Sequence, residues 1–343
     1  MADRHDFLRT WFGTITERLL DPDSDPGQLR EACIQLHAVF AELSNVGDDS
    51  SGADVERETR LPTGVALSPR DAARCVLDTQ RTVMFIRGIH SAIQRAVERF
   101  PDQPIQLLYA GCGPYATLVL PLTGCFPPER LQLTLLDIHE HSIEAVQRII
   151  GGLELHDWIR ECLTCDGTTY VHPPGSPVNI LVIEAMQKTL EKEPQVALTF
   201  NLAPQLSDGG ILIPEEVRLA VCLADLTREF ALYPADHEGS LSLGNTRRRI
   251  DLGSLLALTN QTEVSDLRTK TFTAPESLRS CSRLLILTRI RVFEDCLLDD
   301  YDSGITSPTV AHDVGTIEPG DRLELSYQFG SQPGVRIVKN PPP

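Results

Sequence analysis

Hydrophobic residues recur at two different spacings in successive parts of this chain. In the first hundred residues they follow the period of amphipathic helices, over 7–20, 27–43 and, with an interruption, 68–100. A polar stretch rich in glycine, aspartate and serine, 45–54, separates the second pattern from the third and is typical of a linker. The amino-terminal part is therefore predicted to be helical.

Short apolar runs replace the helical pattern after residue 100. Three of these runs are predicted to be buried strands of a parallel sheet: 105–110, 131–136 and 178–183. In the final third few helical patterns occur, and three further strands are predicted: 218–223, 284–293 and 322–329. The chain is thus predicted to be an α/β protein followed by a β region.

We divide the chain into three predicted parts. A helical segment with its linker covers 1–67, the α/β part covers 68–214, and the strand-rich part covers 215–343. The last boundary is placed where Gly209, Gly210 and Pro214 indicate a turn and a break in regular structure.

Polar and glycine residues follow the predicted strands. Gly111, Cys112 and Gly113 end the first strand, where glycines let the backbone approach a nucleotide closely, and a helix is predicted after them. Asp137 ends the second strand, a place where a carboxylate can accept both ribose hydroxyls of a nucleoside. The third glycine of a dinucleotide fingerprint is missing, which disfavours a pyrophosphate-binding loop.

A further strand end is predicted at Cys165, Asp166 and Gly167. Asp166 either receives an adenine amino group or caps a turn, and the residues alone leave both roles open. Gly167 belongs to the same turn and is grouped with Asp166 as a candidate nucleotide-binding residue.

Two glutamates nine residues apart follow the most apolar strand. Glu184 comes directly after VNILVI, and Glu193 returns to the same edge of the sheet if the residues between them form a hairpin-like loop. Two carboxylates suit a guanidinium, which is planar, always charged and able to donate forked hydrogen bonds. The alternative is that this Glu/Lys-rich loop is simply a solvated surface.

In this order the motifs resemble those of class I S-adenosylmethionine-dependent methyltransferases, and more narrowly those of the protein arginine methyltransferase family. The resemblance rests on EAMQKTLEKE at 184–193, DTQRT at 78–82 and DGGILIP at 208–214. It implies a Rossmann-like domain that binds S-adenosyl-L-methionine at 68–214, followed by a β-barrel-like substrate and dimerisation domain.

The resemblance also implies roles for individual residues. Arg81 would contact the methionine carboxylate of the cofactor, unless it is only an exposed helix residue. Met186 would narrow the space around the accepting nitrogen, with ordinary core filling as the alternative. Glu184 and Glu193 would be the catalytic pair. The family implies a homodimer through an arm inserted between residues 224 and 269, which no motif here identifies.

One motif of the family is absent. Its Thr-His-Trp triplet, which borders the arginine pocket, has no counterpart, and the corresponding stretch is GITSPTV at 304–310. We therefore expect a small guanidino substrate, free L-arginine, as in the small-molecule arginine methyltransferases of bacterial natural-product pathways that this chain resembles. A protein or peptide arginine methyltransferase, and a non-catalytic cofactor-binding scaffold acting through its amino-terminal helices, are the alternatives.

Composition narrows the classes of partner. The formal net charge of −17 disfavours binding to nucleic acid or to an anionic membrane surface, and it would attract a cation. The nine cysteines are expected to be reduced thiols, and Cys162 and Cys165 lack further zinc ligands at matching spacing, so no metal is expected. No run of about eighteen apolar residues occurs, and a cytoplasmic location is expected.

Overall fold

The structure is a computed structural model that describes residues 2–230 and 247–341. Its α-helices are α1 (Ala2–Leu20), α2 (Pro26–Ser44), α3 (Ala53–Glu56), α4 (Pro69–Arg74), α5 (Thr79–Arg99), α6 (Glu140–Gly152), α7 (Gln195–Leu202) and α8 (Leu226–Glu229). Its strands are β1 (Thr59–Leu61), β2 (Gly64–Ala66), β3 (Ile105–Ala110), β4 (Leu131–Asp137), β5 (Ile159–Thr164), β6 (Ile180–Ile183), β7 (Ile211–Ile213), β8 (Glu216–Ala224), β9 (Arg249–Leu258), β10 (Lys270–Thr273), β11 (Arg283–Phe293), β12 (Cys296–Leu298), β13 (Thr309–Val310), β14 (Arg322–Gln328) and β15 (Gly334–Asn340).

A five-stranded parallel sheet carries the predicted motifs. Its order is β5-β4-β3-β6-β7, so β3 lies between two strands that follow it in the chain, and the direction of strand addition reverses there. Open α/β sheets bind their ligands at such a switch point, beyond the carboxyl ends of the strands. Every residue of β6 is buried, as expected for a central parallel strand.

The register of this sheet brings distant motifs together. Ala110, the last residue of β3, pairs with Leu136 of β4 on one side and with Ile183 of β6 on the other. The residues that follow these three positions are Gly111, Asp137 and Glu184. The glycine turn, the predicted ribose acid and the first glutamate therefore meet at one edge of the sheet.

The helix predicted directly after the glycine turn does not form. Turns follow Gly113, and the next helical element is a short 3-10 helix, Leu120–Gly124. Ala116 has a φ of 42°, a left-handed conformation that interrupts a right-handed helix. Nucleotide binding at this turn must therefore rely on the turn's own backbone, without the amino terminus of an α-helix.

The amino-terminal helices pack directly behind the glycine turn. Tyr115 is 2% exposed, and its hydroxyl donates a 2.5 Å hydrogen bond to the carbonyl oxygen of Val46, just after α2. Its ring meets those of Phe40 and His37 edge-on, with centroids 5.6 and 5.8 Å away. The predicted helices at 7–20 and 27–43 thus correspond to α1 and α2, and they pack against the α/β part of the chain.

The predicted interruption of the third helical pattern is confirmed. Helix α4 ends at Arg74, a 3-10 turn covers Cys75–Leu77, and α5 begins after Asp78, whose side chain accepts from the Arg81 N–H. This break lets α5 begin beside the sheet edge, with Arg81 in its first turn.

The strand-rich part forms two antiparallel sheets. One has the order β12-β11-β8-β9, with β13 on the edge of β11, and the other has the order β10-β14-β15. The antiparallel character agrees with the expectation for this region, but the described residues do not show a closed barrel. The boundaries at 67 and 214 stay predictions, and part of the region expected to hold a dimerisation arm, 231–246, lies outside the described residues.

The described residues contain neither a cluster of metal ligands nor a membrane-spanning helix. Within 2–230 and 247–341, no group of three or more His, Cys, Asp or Glu side chains is arranged to hold a metal ion. None of the helices in these ranges combines the length and the apolar character needed to cross a membrane.

We predict that Tyr115→Phe destabilises the protein. The change removes the shorter of two hydrogen bonds to the Val46 carbonyl oxygen, which keeps a 3.3 Å bond from the Ser44 hydroxyl, and we expect the free energy of unfolding to fall by about 1 kcal/mol in urea titrations. Tyr170→Phe is the control, because the Tyr170 hydroxyl contacts His172 only at 3.3 Å in a partly buried position. Equal losses in the two variants would contradict a special role for the bond from Tyr115 to the amino-terminal segment.

Candidate active site

A cleft of about 1000 Å³, including its open mouth, lies at the carboxyl edge of the parallel sheet. Eight of the nine residues predicted from the sequence line it: Arg81, Gly111, Gly113, Asp137, Asp166, Gly167, Glu184 and Glu193. Met186 does not line the cleft. It is 2% exposed and belongs to the main hydrophobic core, as its alternative assignment predicts.

The glycine turn is built for close approach to a ligand. Gly111 and Gly113 have φ values of 76° and 61°, which side chains rarely adopt. The N–H groups of Gly111 and Cys112 both donate to the Leu136 carbonyl oxygen, at 2.9 and 3.0 Å, which anchors the turn to β4.

Asp137 is held with its carboxylate at the base of this turn. Its Oδ2 accepts a 2.9 Å hydrogen bond from the Gly113 N–H, and its Oδ1 accepts a 2.8 Å bond from the His139 N–H. The His139 Nδ1 lies 3.3 Å from the same Oδ1. Each carboxylate oxygen retains acceptor capacity, so the group can still bind a diol.

Asp166 caps a turn, one of the two roles that its position suggested. Its Oδ1 accepts from both the N–H and the hydroxyl of Thr168, at 2.8 and 2.7 Å. The residue also lines the cleft. A Cβ on Gly167 would lie 2.7 Å from the Leu198 Cδ2, so a side chain there would require Leu198 to shift.

Arg81 and Glu184 form an ion pair inside the cleft. The Arg81 Nη2 donates to the Glu184 Oε2, and the two side chains are 12% and 6% exposed. Burial acts to lower the pKa of Arg81, but the adjacent Glu184 carboxylate outweighs it and raises that pKa. The second oxygen of Glu184, Oε1, is buried and has no hydrogen-bond partner among the described residues.

Glu193 shares this site and is 6% exposed. Burial and then the negative charge of Glu184 raise the pKa of Glu193 to about 8, against the opposing effect of Arg81. In the empty protein near neutral pH, Glu193 is therefore mostly protonated. The cluster formed by Glu184, Glu193 and Arg81 then consists of one carboxylate, one carboxylic acid and one guanidinium.

The loop between the two glutamates returns Glu193 to the cleft that Glu184 lines. It contains a 3-10 turn, Lys188–Leu190, and left-handed backbone at Thr189, Leu190 and Lys192, with no paired strands. Its conformation is imposed by distant parts of the chain. Thr288 of β11 accepts from the Thr189 N–H at 2.8 Å, and Tyr327 of β14 donates to the Leu190 carbonyl at 2.7 Å.

Tyr109 and Cys75 are among the polar side chains that line the cleft and that sequence analysis missed. Tyr109 is the fifth residue of β3 and is 4% exposed. Burial raises the pKa of both groups, which keeps them neutral. The sequence contains an indication of both, because each lies close to a predicted motif: Tyr109 is two residues before Gly111, and Cys75 is three residues before Asp78.

Comparisons with known proteins place the fold. No protein-family model matches the chain, and no curated protein matches it. Among solved structures it is similar to the Trypanosoma brucei PRMT1 enzyme-prozyme heterotetrameric complex with AdoHcy, with a TM-score of 0.51 and 12% identity. The match covers 78% of this chain and 97% of that one. The chain therefore has the fold of that methyltransferase structure, a Rossmann-like parallel sheet joined to antiparallel sheets.

Proposed function

We propose that the protein is an S-adenosyl-L-methionine-dependent N-methyltransferase that acts on a guanidino group, with free L-arginine as its substrate. One observation carries the proposal: the cleft already holds a guanidinium, that of Arg81, on the carboxylate of Glu184. Glu193 stands beside this pair, and the second oxygen of Glu184 is unpaired. The site therefore has the charge and the donor-acceptor pattern for a guanidino ligand.

The residues on the nucleotide side fit the proposed cofactor. The turn at Gly111 and Gly113 admits a ligand against the backbone, Asp137 can accept ribose hydroxyls, and Asp166 lies where an adenine would be reached. Arg81 is the cationic partner for the methionine carboxylate. The solved methyltransferase with the same fold contains AdoHcy, which supports this assignment. When bound, the cofactor supplies an electrophilic methyl group.

The glutamates prepare the nucleophile. A protonated guanidine has no free lone pair, so the reacting nitrogen must lose a proton as it attacks. We assign Glu184 to hold the nitrogens that do not react. Glu193 loses its proton when the guanidinium binds, and the resulting carboxylate accepts the proton of the reacting nitrogen; its burial makes it a better base than an ordinary carboxylate. The protein's other contribution is to align the two reactants.

A small substrate is favoured by one departure from the family pattern. The stretch 304–310, which replaces the Thr-His-Trp triplet, does not line the cleft. Ser303 and Gly304 instead donate to Asp78, at 2.6 and 3.0 Å, behind the start of α5. A protein or peptide arginine substrate is the second candidate, favoured by the fold match itself. Homodimerisation, a cytoplasmic location and a natural-product pathway belong to the proposal, as does the absence of nucleic-acid and membrane partners.

The first test is mass spectrometry of free L-arginine and an arginine-rich peptide after incubation with S-adenosylmethionine. We expect a gain of one methyl on free arginine. Glu184→Gln and Glu193→Gln should each lower the rate of arginine methylation at least about 100-fold, while AdoHcy still binds. Glu191→Gln, in the same loop but outside the cleft, is the control and should keep the wild-type rate. Methylation of the peptide alone would favour the second candidate, and full activity in Glu184→Gln would remove Glu184 from the mechanism.

We also predict that the cofactor strengthens the binding of the substrate. In the empty protein Arg81 occupies Glu184, and a cofactor carboxylate would draw it away. Calorimetry should show arginine binding at least about tenfold more tightly to AdoHcy-loaded protein than to empty protein, a coupling near 1.4 kcal/mol. In Arg81→Met, arginine should bind with the same affinity to AdoHcy-saturated protein and to protein without AdoHcy. Equal affinities in the loaded and empty wild-type protein would refute the prediction.

Arginine binding should release a proton near pH 7. Glu193 has its pKa raised to about 8 in the empty site, so it is mostly protonated there, and a bound guanidinium favours its ionised form. The number of protons released should approach roughly one per site at pH values between the pKa of Glu193 in the arginine complex and about 8. Above about pH 8 the release should vanish, because Glu193 is then already ionised before arginine binds. Calorimetry of AdoHcy-loaded protein in buffers of different ionisation enthalpy measures it. Glu193→Gln should release none, and Glu191→Gln should match the wild type.

A further inference from the structure

We propose that the β1–β2 hairpin is a positioning element for Glu193 and forms the substrate-side wall of the cleft, in place of the missing Thr-His-Trp triplet. The inference rests on the proposed function for its reference to substrate. Its structural part, that the hairpin sets the environment of Glu193, can be tested without any activity.

The hairpin is joined to the backbone that carries Glu193. The Val65 N–H donates a 2.8 Å hydrogen bond to the carbonyl oxygen of Lys192, the residue immediately before Glu193. Val65 and Lys192 are far apart in the sequence, and this bond is additional to the pairing of β1 with β2.

Gly64 shows how close this contact is. Its φ is 143°, and a Cβ on it would lie 2.6 Å from the Lys192 carbonyl oxygen and 3.1 Å from both the Glu193 carbonyl carbon and the Pro194 nitrogen. The atoms that it would meet are backbone, so they cannot be displaced cheaply. Only glycine permits the hairpin to rest against the chain at this point.

Side chains of the same hairpin line the cleft. Leu61 of β1, Ala66 of β2 and the next residue, Leu67, all border it, beside Glu193 and Pro194. They supply an apolar surface that suits the methylene chain of a guanidino compound. Glu58, just before β1, also acts on Glu193, since its negative charge contributes to the raised pKa of that group.

The opposite side of the loop is held by other elements. The Lys192 N–H donates to the Pro333 carbonyl oxygen at 3.2 Å, and the backbone at Thr189 and Leu190 is held by β11 and β14. The hairpin is therefore the element that supports the backbone of Glu193 from the cleft side. The groups that set its charge are Glu184, Arg81 and Glu58, together with a hydrogen bond from Gln187.

The test compares two alanine variants of glycine. Gly64→Ala forces the hairpin off the loop, whereas Gly52→Ala has a similar φ of 129° with nothing within 4 Å of the new Cβ, so it controls for backbone strain. The pKa of Glu193 is measured by NMR titration of AdoHcy-free protein labelled at the glutamate carboxyl carbon. In Gly64→Ala we expect this pKa to fall by about one unit or more, because water reaches the carboxyl group. In Gly52→Ala we expect it to stay unchanged. The Glu193 signal is assigned with Glu193→Gln.

Kinetics provide the second readout. Gly64→Ala should raise the KM for arginine at least about tenfold while the Kd for AdoHcy changes less than about twofold. Leu61→Ala introduces no strain at a glycine position; it should raise the KM for arginine and leave the pKa of Glu193 unchanged.

Each outcome has a distinct meaning. An unchanged pKa of Glu193 in folded Gly64→Ala overturns the inference, and so does a fall in AdoHcy affinity that parallels the rise in KM. If the wild type does not methylate arginine at all, the proposed function fails, and the NMR titration still decides whether the hairpin positions Glu193. If Gly64→Ala does not fold, an unchanged KM for arginine in Leu61→Ala overturns the substrate-wall assignment.

Discussion

The site depends on the electrostatic balance of one guanidinium between two buried carboxyl groups. Glu184 and Glu193 lie at the end of a wholly apolar strand, where two charges of like sign would be strongly disfavoured. Arg81 neutralises one of them, and the other takes up a proton. The cluster of Arg81, Glu184 and Glu193 is thus close to neutral, and a cationic ligand that binds to the two glutamates must replace either the proton or the internal arginine.

The parallel sheet makes this balance possible by bringing together residues that are far apart in the sequence. The pairing of Ala110 with both Leu136 and Ile183 sets Gly111, Asp137 and Glu184 side by side, and α5 brings Arg81 to the same edge. The sheet supplies only the positions, since many α/β proteins gather polar residues at such an edge. The chemistry follows from the identity of the residues, above all the second glutamate.

Much of this arrangement could be predicted from the sequence because it is local. The apolar runs at β3, β4 and β6 indicate buried parallel strands, and the residues that follow such strands must face the ligand edge. The helix expected after Gly113 failed because the left-handed conformation of Ala116 carries no clear sequence signal. The loop carrying Glu193 could not be derived either, since its shape depends on Thr288, Tyr327 and Val65, which lie far away in the chain. Met186 was placed by resemblance, and burial in the core removed it from the cleft.

The contacts that hold the glutamate loop also affect how such a protein can evolve. Each is a single contact from an element remote in sequence: a hydroxyl on β11, a phenol on β14 and an N–H on β2. Substitutions in any of these elements can shift the basicity of Glu193 without touching the glutamates. Under the proposed function, substrate preference can therefore change through substitutions in the supporting strands and the hairpin, while the two carboxylates and the cofactor side of the cleft stay the same.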